Sequence, residues 1–248
     1  MSITLRALLV TLCIAISVPI NGSTIPDRLI IDYQLLLEET VIAKVQKTLL
    51  RDGGQYQSTS LVEPTGVGSL LADGTFREES RFRIEGDNLR PLRYSEIRED
   101  NSPNQVDIVF DWERRRIDFS DGRSLAIPRH EVQDNGSFLV ALMVRPTAKL
   151  AGQHVNVVGG KGIRQYRYEK PVEEFIETPL GRLRTWRVEK RRLDRDNRTI
   201  TVWLARDLAN LPVKVVKDRN GKTTTLIIAA VEGLDSPPGS EVLEKTGD

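Results

Sequence analysis

Several short stretches carry residue types that do chemistry elsewhere, and each lacks the partner its chemistry needs. His130-Glu131-Val132-Gln133-Asp134 opens like a zinc-protease helix, where two histidines hold the metal and the Glu is the base, but Asp134 stands where the second His belongs. His130 and His154 are the only histidines, so a two-His metal centre would need convergence of distant segments plus carboxylates. Gly66-Val67-Gly68-Ser69-Leu70-Leu71 starts like a dinucleotide loop, with Leu71 in place of the third Gly. Gly159-Gly160-Lys161-Gly162 lacks the Lys-Ser or Lys-Thr pair of a phosphate loop and reads as a hairpin or bulge. No Gly-x-Ser-x-Gly nucleophile turn occurs. Glu38-Glu39, Glu78-Glu79 and Glu173-Glu174 are neighbours, which on a strand point to opposite faces and cannot share one acid–base site. The reading is of no catalytic residue, no metal site and no cofactor. An enzyme would have to act through carboxylates and Arg residues converging in a surface cleft.

The elements that would position any site are mostly strands. Apolar residues alternate at period two, and turn residues interrupt them about every ten positions, as in an antiparallel meander and not in βαβ units. Leu29, Ile31, Tyr33 and Leu35 form one such face, and Val106, Ile108, Phe110 and Trp112 another. Tight turns are expected at Asp52-Gly53-Gly54, Gly86-Asp87-Asn88, Asp194 to Asn197 and Arg219-Asn220-Gly221. One segment breaks the rhythm: Ser137 to Val144 has apolar residues at helical spacing behind Asp134 and Asn135, which can cap. The expected architecture is mainly β: one strongly curved antiparallel sheet, a half-barrel of about 11–13 strands, wrapped around one principal helix.

The first residues give an address. Arg6 precedes the apolar run Ala7 to Val18, then Pro19 and Asn21-Gly22-Ser23 break it, the layout of a secretory signal peptide cleaved near residue 23. The run is about a dozen residues, too short for a bilayer span of roughly 20. Cys13, the only cysteine, lies inside it, so the processed chain would have no disulfide, thiolate ligand or thiol nucleophile. Leu12 before it argues against lipid anchoring. With 36 Lys+Arg and 35 Asp+Glu in the whole chain, and Arg6 removed, charge balances. Nucleic acid is therefore not an expected partner. Asn135 and Asn197 head Asn-x-Ser/Thr triplets, which matter only in a eukaryotic secretory pathway. Residues 24–232 read as a single domain and 233–248, rich in Pro, Gly, Ser and charge, as a disordered tail.

A set of ordered segments carries a family resemblance. They are Phe110-Asp111-Trp112 with Arg116-Ile117-Asp118-Phe119, Val132-Gln133-Asp134 leading into the helix, Glu177 to Thr185 around Pro179-Leu180-Gly181, Val202 to Asp207, and Leu211-Pro212-Val213-Lys214-Val215. Gly86, Leu89 and Pro91 ahead of Arg93-Tyr94 extend the match. The chain resembles the bacterial exported domain-of-unknown-function family 3108 over about Ile30 to Val231. The resemblance implies a fold similar to the lipoprotein-localisation carriers and receptors (LolA/LolB-like half-barrels) of the Gram-negative envelope, which hold acyl chains in an apolar concave face closed by helices. It implies no catalytic residues and places the protein in the periplasm.

Two functions follow. The first is a non-catalytic, monomeric binding or carrier protein for a lipid, a lipoprotein acyl chain or another hydrophobic envelope molecule, its groove and lid formed by Phe110, Trp112, Phe138, Leu139, Leu142, Met143, Trp186 and Trp203. The second is a structural or interaction protein that binds an envelope protein partner, the helix plugging the half-barrel as permanent core. The three Trp also fit plain core packing.

Overall fold

The structure, a computed structural model, describes residues 25–70, 74–98, 105–194 and 198–234. The expected signal peptide and nearly all of the expected tail lie outside these residues, as does most of the Asp194–Asn197 turn. The first half of the chain supplies β1 (Arg28–Leu37), β2 (Thr40–Asp52), β3 (Gln55–Pro64), β4 (Phe76–Glu85), β5 (Asn88–Arg98), β6 (Val106–Asp111), β7 (Arg116–Phe119) and β8 (Ser124–Ala126). Then come β9 (Glu131–Asp134), helix α1 (Phe138–Val144) and β10 (His154–Gly159). The rest is β11 (Gly162–Tyr168), β12 (Val172–Thr178), β13 (Gly181–Arg192), β14 (Arg198–Ala205), β15 (Leu211–Arg219) and β16 (Lys222–Glu232).

All sixteen strands join one curved sheet in the order β8-β7-β6-β5-β4-β3-β2-β1-β16-β15-β14-β13-β11-β10-β9, with β12 paired on β13. The N-terminal strand β1 lies beside β16, between two meanders. The mainly β, half-barrel reading holds, with α1 as the one α-helix among the described residues. The sixteen strands exceed the 11–13 expected, and two of the short ones show no apolar alternation: β8 is exposed throughout and β9 is Glu-Val-Gln-Asp. A second difference is larger in consequence. β9 and β10 pair in parallel, with α1 as the crossover between them. The one βαβ unit in an otherwise antiparallel sheet exists because parallel neighbours need a connection long enough to carry a helix.

The sheet is not closed by a backbone ladder; side chains make the seam. Gln133 Nε2 of β9 donates to the Leu89 carbonyl of β5 at 2.9 Å, and Arg123 Nη2 donates to the Gly160 carbonyl at 2.7 Å. Behind this seam Tyr94, Ile108, Phe110, Ile117 and Val132 form one end of the core. Hairpins set the register elsewhere. Asn220 and Gly221 both take positive φ (57° and 76°), the geometry of the two-residue turns whose twist matches the flanking strands.

Gly68 shows how closely the chain is folded back. In the short 3-10 turn Gly66–Leu70, a Cβ at this position would lie 1.8 Å from the carbonyl oxygen of Ile42 on β2. Gly68→Ala is expected to push this turn off β2 and lower stability by about 2 kcal/mol, measured as a lower urea midpoint.

Candidate functional site

Helix α1, Phe-Leu-Val-Ala-Leu-Met-Val, has no polar face, and a helix apolar all round must be covered on all sides. It therefore fills the concave side of the sheet. Val140, Ala141 and Met143 pack with Leu29, Ile31, Leu49 and Val213, while Phe138 and Leu142 pack with Val157, Tyr166, Val188 and Leu204. Between the helix and β1, β2 and β15 a cleft of about 10 Å³ remains, lined by Leu29, Ile31, Leu49, Leu139, Met143 and Lys47 among others. That is room for about one water molecule.

Polar groups hold both helix ends. At the start, Asp134 Oδ1 accepts from the Ser137 amide at 2.7 Å, Asp134 Oδ2 accepts from Ser80 Oγ at 2.8 Å, and Ser137 Oγ accepts from the Asp134 amide at 2.9 Å. Lys47 Nζ reaches across to the Gly136 carbonyl and to Ser60 Oγ, both 3.2 Å. Burial pushes the Asp134 carboxyl up to about 7, opposed by its hydrogen bonds from Ser80 and Ser137 and reinforced by Glu78. At the far end Arg145, the C-cap residue, pairs with the half-buried Glu131 of β9 and donates to Asn88 Oδ1 at 3.2 Å. Burial raises the Glu131 carboxyl, with Arg145 working the other way.

These groups continue a polar stripe across the inner face. Lys47, Ser60, Glu78 and Glu96 are register partners on β2 to β5. Tyr94 Oη lies 2.6 Å from Glu78 and 2.5 Å from Glu96, and accepts from Asn135 Nδ2 at 3.3 Å. Of this stripe the sequence alone names Glu78 only as a neighbour of Glu79, Asp134 and Asn135 as caps and Tyr94 as part of a family segment, and it does not join them to Lys47, Ser60 or Glu96. The available signal was parity: Lys47 alternates with Val45 and Leu49, and Lys190 with Val188, on faces that are otherwise apolar.

The residues expected to form a groove and lid separate into three places. Leu139 and Met143 line the cleft, and Phe138, Leu142 and the half-buried Trp186 belong to the adjoining cluster. Phe110 and Trp112 lie at the seam; Trp112 Nε1 donates to the Pro91 carbonyl at 2.6 Å beneath the Arg90 guanidinium. Trp203 sits in register with Arg187 and Lys214, with its ring facing the Lys214 ammonium at 5.1 Å and its indole N–H on the Glu174 carboxylate. Phe110 and Trp112 are thus away from the cleft beside α1, whereas Trp203 packs against the cluster of Leu29, Ile31 and Met143 without lining the cleft.

Two other features bear on chemistry. The parallel β9–β10 pair brings His130 and His154 together, ring centroids 5.2 Å apart and edge to face. Among the described residues no group of three or more His, Cys, Asp or Glu is placed to hold a metal. A surface cleft of about 340 Å³ carries Glu79, Arg81, Arg93, Glu96 and Asp107. Four of its charges pair with one another, Arg93 gripping Asp107 at 2.9 and 2.6 Å and Arg81 lying 3.4 Å from Glu79, while Glu96 is held by Tyr94 Oη.

Among the described residues no helix is long and apolar enough to cross a membrane. No curated protein matches the chain. The fold is similar to the crystal structure of a beta-barrel-like protein of domain of unknown function DUF1849 from Brucella abortus, at 10% identity and TM-score 0.54, covering 85% of this chain and 99% of that one. A putative outer membrane lipoprotein-sorting protein domain from Vibrio parahaemolyticus aligns at 11% identity over 86% of this chain and 87% of that one, but its TM-score of 0.28 carries no argument. At 10% identity the Brucella likeness shows a shared barrel-like fold and nothing of activity. The match of the family model "Protein of unknown function (DUF3108)" to residues 32–227 covers most of the chain, which therefore belongs to that family.

Proposed function

We propose that this protein is a non-catalytic carrier for a hydrophobic or amphipathic envelope molecule, with α1 as the lid over its binding face. The observation that supports this most is an all-apolar seven-residue helix laid on the concave face of an open sheet, with a cleft already begun along one flank. In this reading the cleft and lid residues are Leu139, Leu142, Met143, Phe138 and Trp186. Opening exchanges helix-to-sheet contacts for ligand-to-sheet contacts. The flexible Met143 and unbranched leucines suit a face that must accept chains of different shape. The Ala7–Val18 run favours a periplasmic protein, which in this reading works as a monomer, folded as one domain over 24–232 and followed by a tail.

One observation favours a permanent plug instead. Both helix ends are fastened by polar contacts, buried for Asp134 with Ser80 and Ser137 at one end and half-buried for Arg145 with Glu131 at the other. In that reading the outer edges bind an envelope protein.

Native mass spectrometry of protein purified from its own envelope separates the two. A carrier should retain lipid in stoichiometric amount and take up a fluorescent fatty acid. Apo protein that binds no such probe would sink the carrier reading.

A further inference from the structure

Two lysines are buried on the concave face with no acid in contact. Lys47 is 7% exposed and Lys190 1%. A lysine is almost never fully buried unless paired, because its ammonium loses hydration that only an anion replaces well. Among the described residues neither forms an ion pair: Lys47 Nζ has the neutral acceptors Ser60 Oγ and Gly136 O, and Lys190 Nζ lies 3.2 Å from the Phe138 ring centroid and 4.3 Å from that of Tyr166. Ser58 Oγ, on the strand that carries Ser60, is buried with no hydrogen-bond partner.

The surroundings add positive charge. Lys217 of β15 shares a register row with Lys190 through Ile200, and its charge acts on both buried amines. Burial is the main influence lowering both, and Arg164 adds to it at Lys190. Glu78 and Asp134 oppose the effect at Lys47, as Glu131 does at Lys190, without reaching ion-pair distance.

The covers are what matter. Both amines are closed off by the start of α1: the Gly136 carbonyl sits on Lys47 and the Phe138 ring on Lys190. Lys47 also lines the apolar cleft that continues along Leu29, Ile31, Leu49 and Met143. We infer that the covered interior is built for an anionic amphiphile: once α1 lifts, its acyl chain takes the helix's place along Leu29, Ile31 and Leu49, and its carboxylate or phosphate head binds Lys47, where Lys190 and Lys217 supply further positive charge. The start of the helix then stands in for the head while the site is empty. This deepens the carrier reading and rests on it.

The test compares probes of one chain length: myristate, tetradecyl phosphate and 1-tetradecanol, with inorganic phosphate as competitor. Wild-type protein should bind the two anionic probes about tenfold tighter than the alcohol or more, since hydrogen bonds to charged groups exceed neutral ones by about that factor. Lys47→Met should erase the preference while leaving the alcohol's affinity nearly unchanged, and Lys47→Arg should retain part of it. Met fills a buried lysine's volume without its charge, so the variant keeps its fold. Equal binding of all three probes, or a preference that survives in Lys47→Met/Lys190→Met, overturns the anionic head and leaves the carrier standing. Displacement of the probes by millimolar inorganic phosphate would assign the lysines to a free oxyanion and overturn the amphiphile. If no probe binds, both readings fall together.

Discussion

Replacing Asp134 with Asn is expected to remove much of the fall in stability between about pH 4 and pH 7. The wild-type carboxyl, buried at the end of β9, sits at about 7 where an ordinary one sits at 3.8. Glu78 on β4 and Lys47 on β2 act on it, with Tyr94 and Glu96 of β5 beyond Glu78 and Glu131 on its own strand. Over this interval the folded chain keeps a proton that the unfolded chain has released. The stability due to Asp134 is thus fully present below about pH 4 and is lost as pH rises through 7, a change of up to roughly 4 kcal/mol. Asn cannot ionise, yet its carbonyl still accepts from the Ser137 amide. Urea midpoints at half-unit steps from pH 4 to 8 should show the two proteins diverging, with the variant more stable above pH 7. Parallel curves would mean that the carboxyl ionises alike in the folded and unfolded states.

Leu142→Ala carries the other large effect. Leu142 is 1% exposed, wedged between α1 and the β10–β14 wall. Truncation should cost about 2 to 5 kcal/mol of stability, the range for leucines whose surroundings cannot collapse into the gap. Chemical denaturation measures this directly. The same variant also distinguishes lid from plug: a lid whose closed state is weakened competes less with ligand, so affinity for the fluorescent fatty acid should rise several-fold while the fold persists. A variant that loses stability and gains no affinity supports the plug.

How far the sequence discloses this molecule depends on which interaction decides each feature. Alternation exposed the long strands, because on β1 and β2 burial of one face alone sets the pattern. The helix was legible for the same reason, since seven consecutive apolar residues fit no half-exposed strand. β9 was not legible. Val132 apart, its burial is that of Gln133 and Asp134, whose side chains are satisfied by Leu89, Ser80 and Ser137 from far along the chain or beyond a turn. The groove residues divide along the same line. Leu139 and Met143 follow from helix periodicity, whereas Trp112 and Trp203 came from strand alternation and the family segments, and their positions depend on the Pro91 carbonyl, Glu174 and Lys214, partners that no local pattern names. Lys47 and Lys190 were hidden by their own chemistry: a lysine on an apolar face reads as a departure from the pattern until the face is known to be covered.

The adjacency of β1 and β16 also governs how the chain assembles. Ile30 pairs with Glu232 and Leu37 with Thr224, so the centre of the sheet joins residues about as far apart in sequence as the described chain allows. Each meander can form from local hairpins, but the seam between them must wait for the last strand, and closing so long a loop before any contact rewards it makes folding slow. Until β16 arrives, the inner edges of β1 and β15 stand open side by side as unpaired strand templates. The interval between the pairing of β15 with β14 and the docking of β16 is therefore when this chain is most exposed to pairing with the wrong partner.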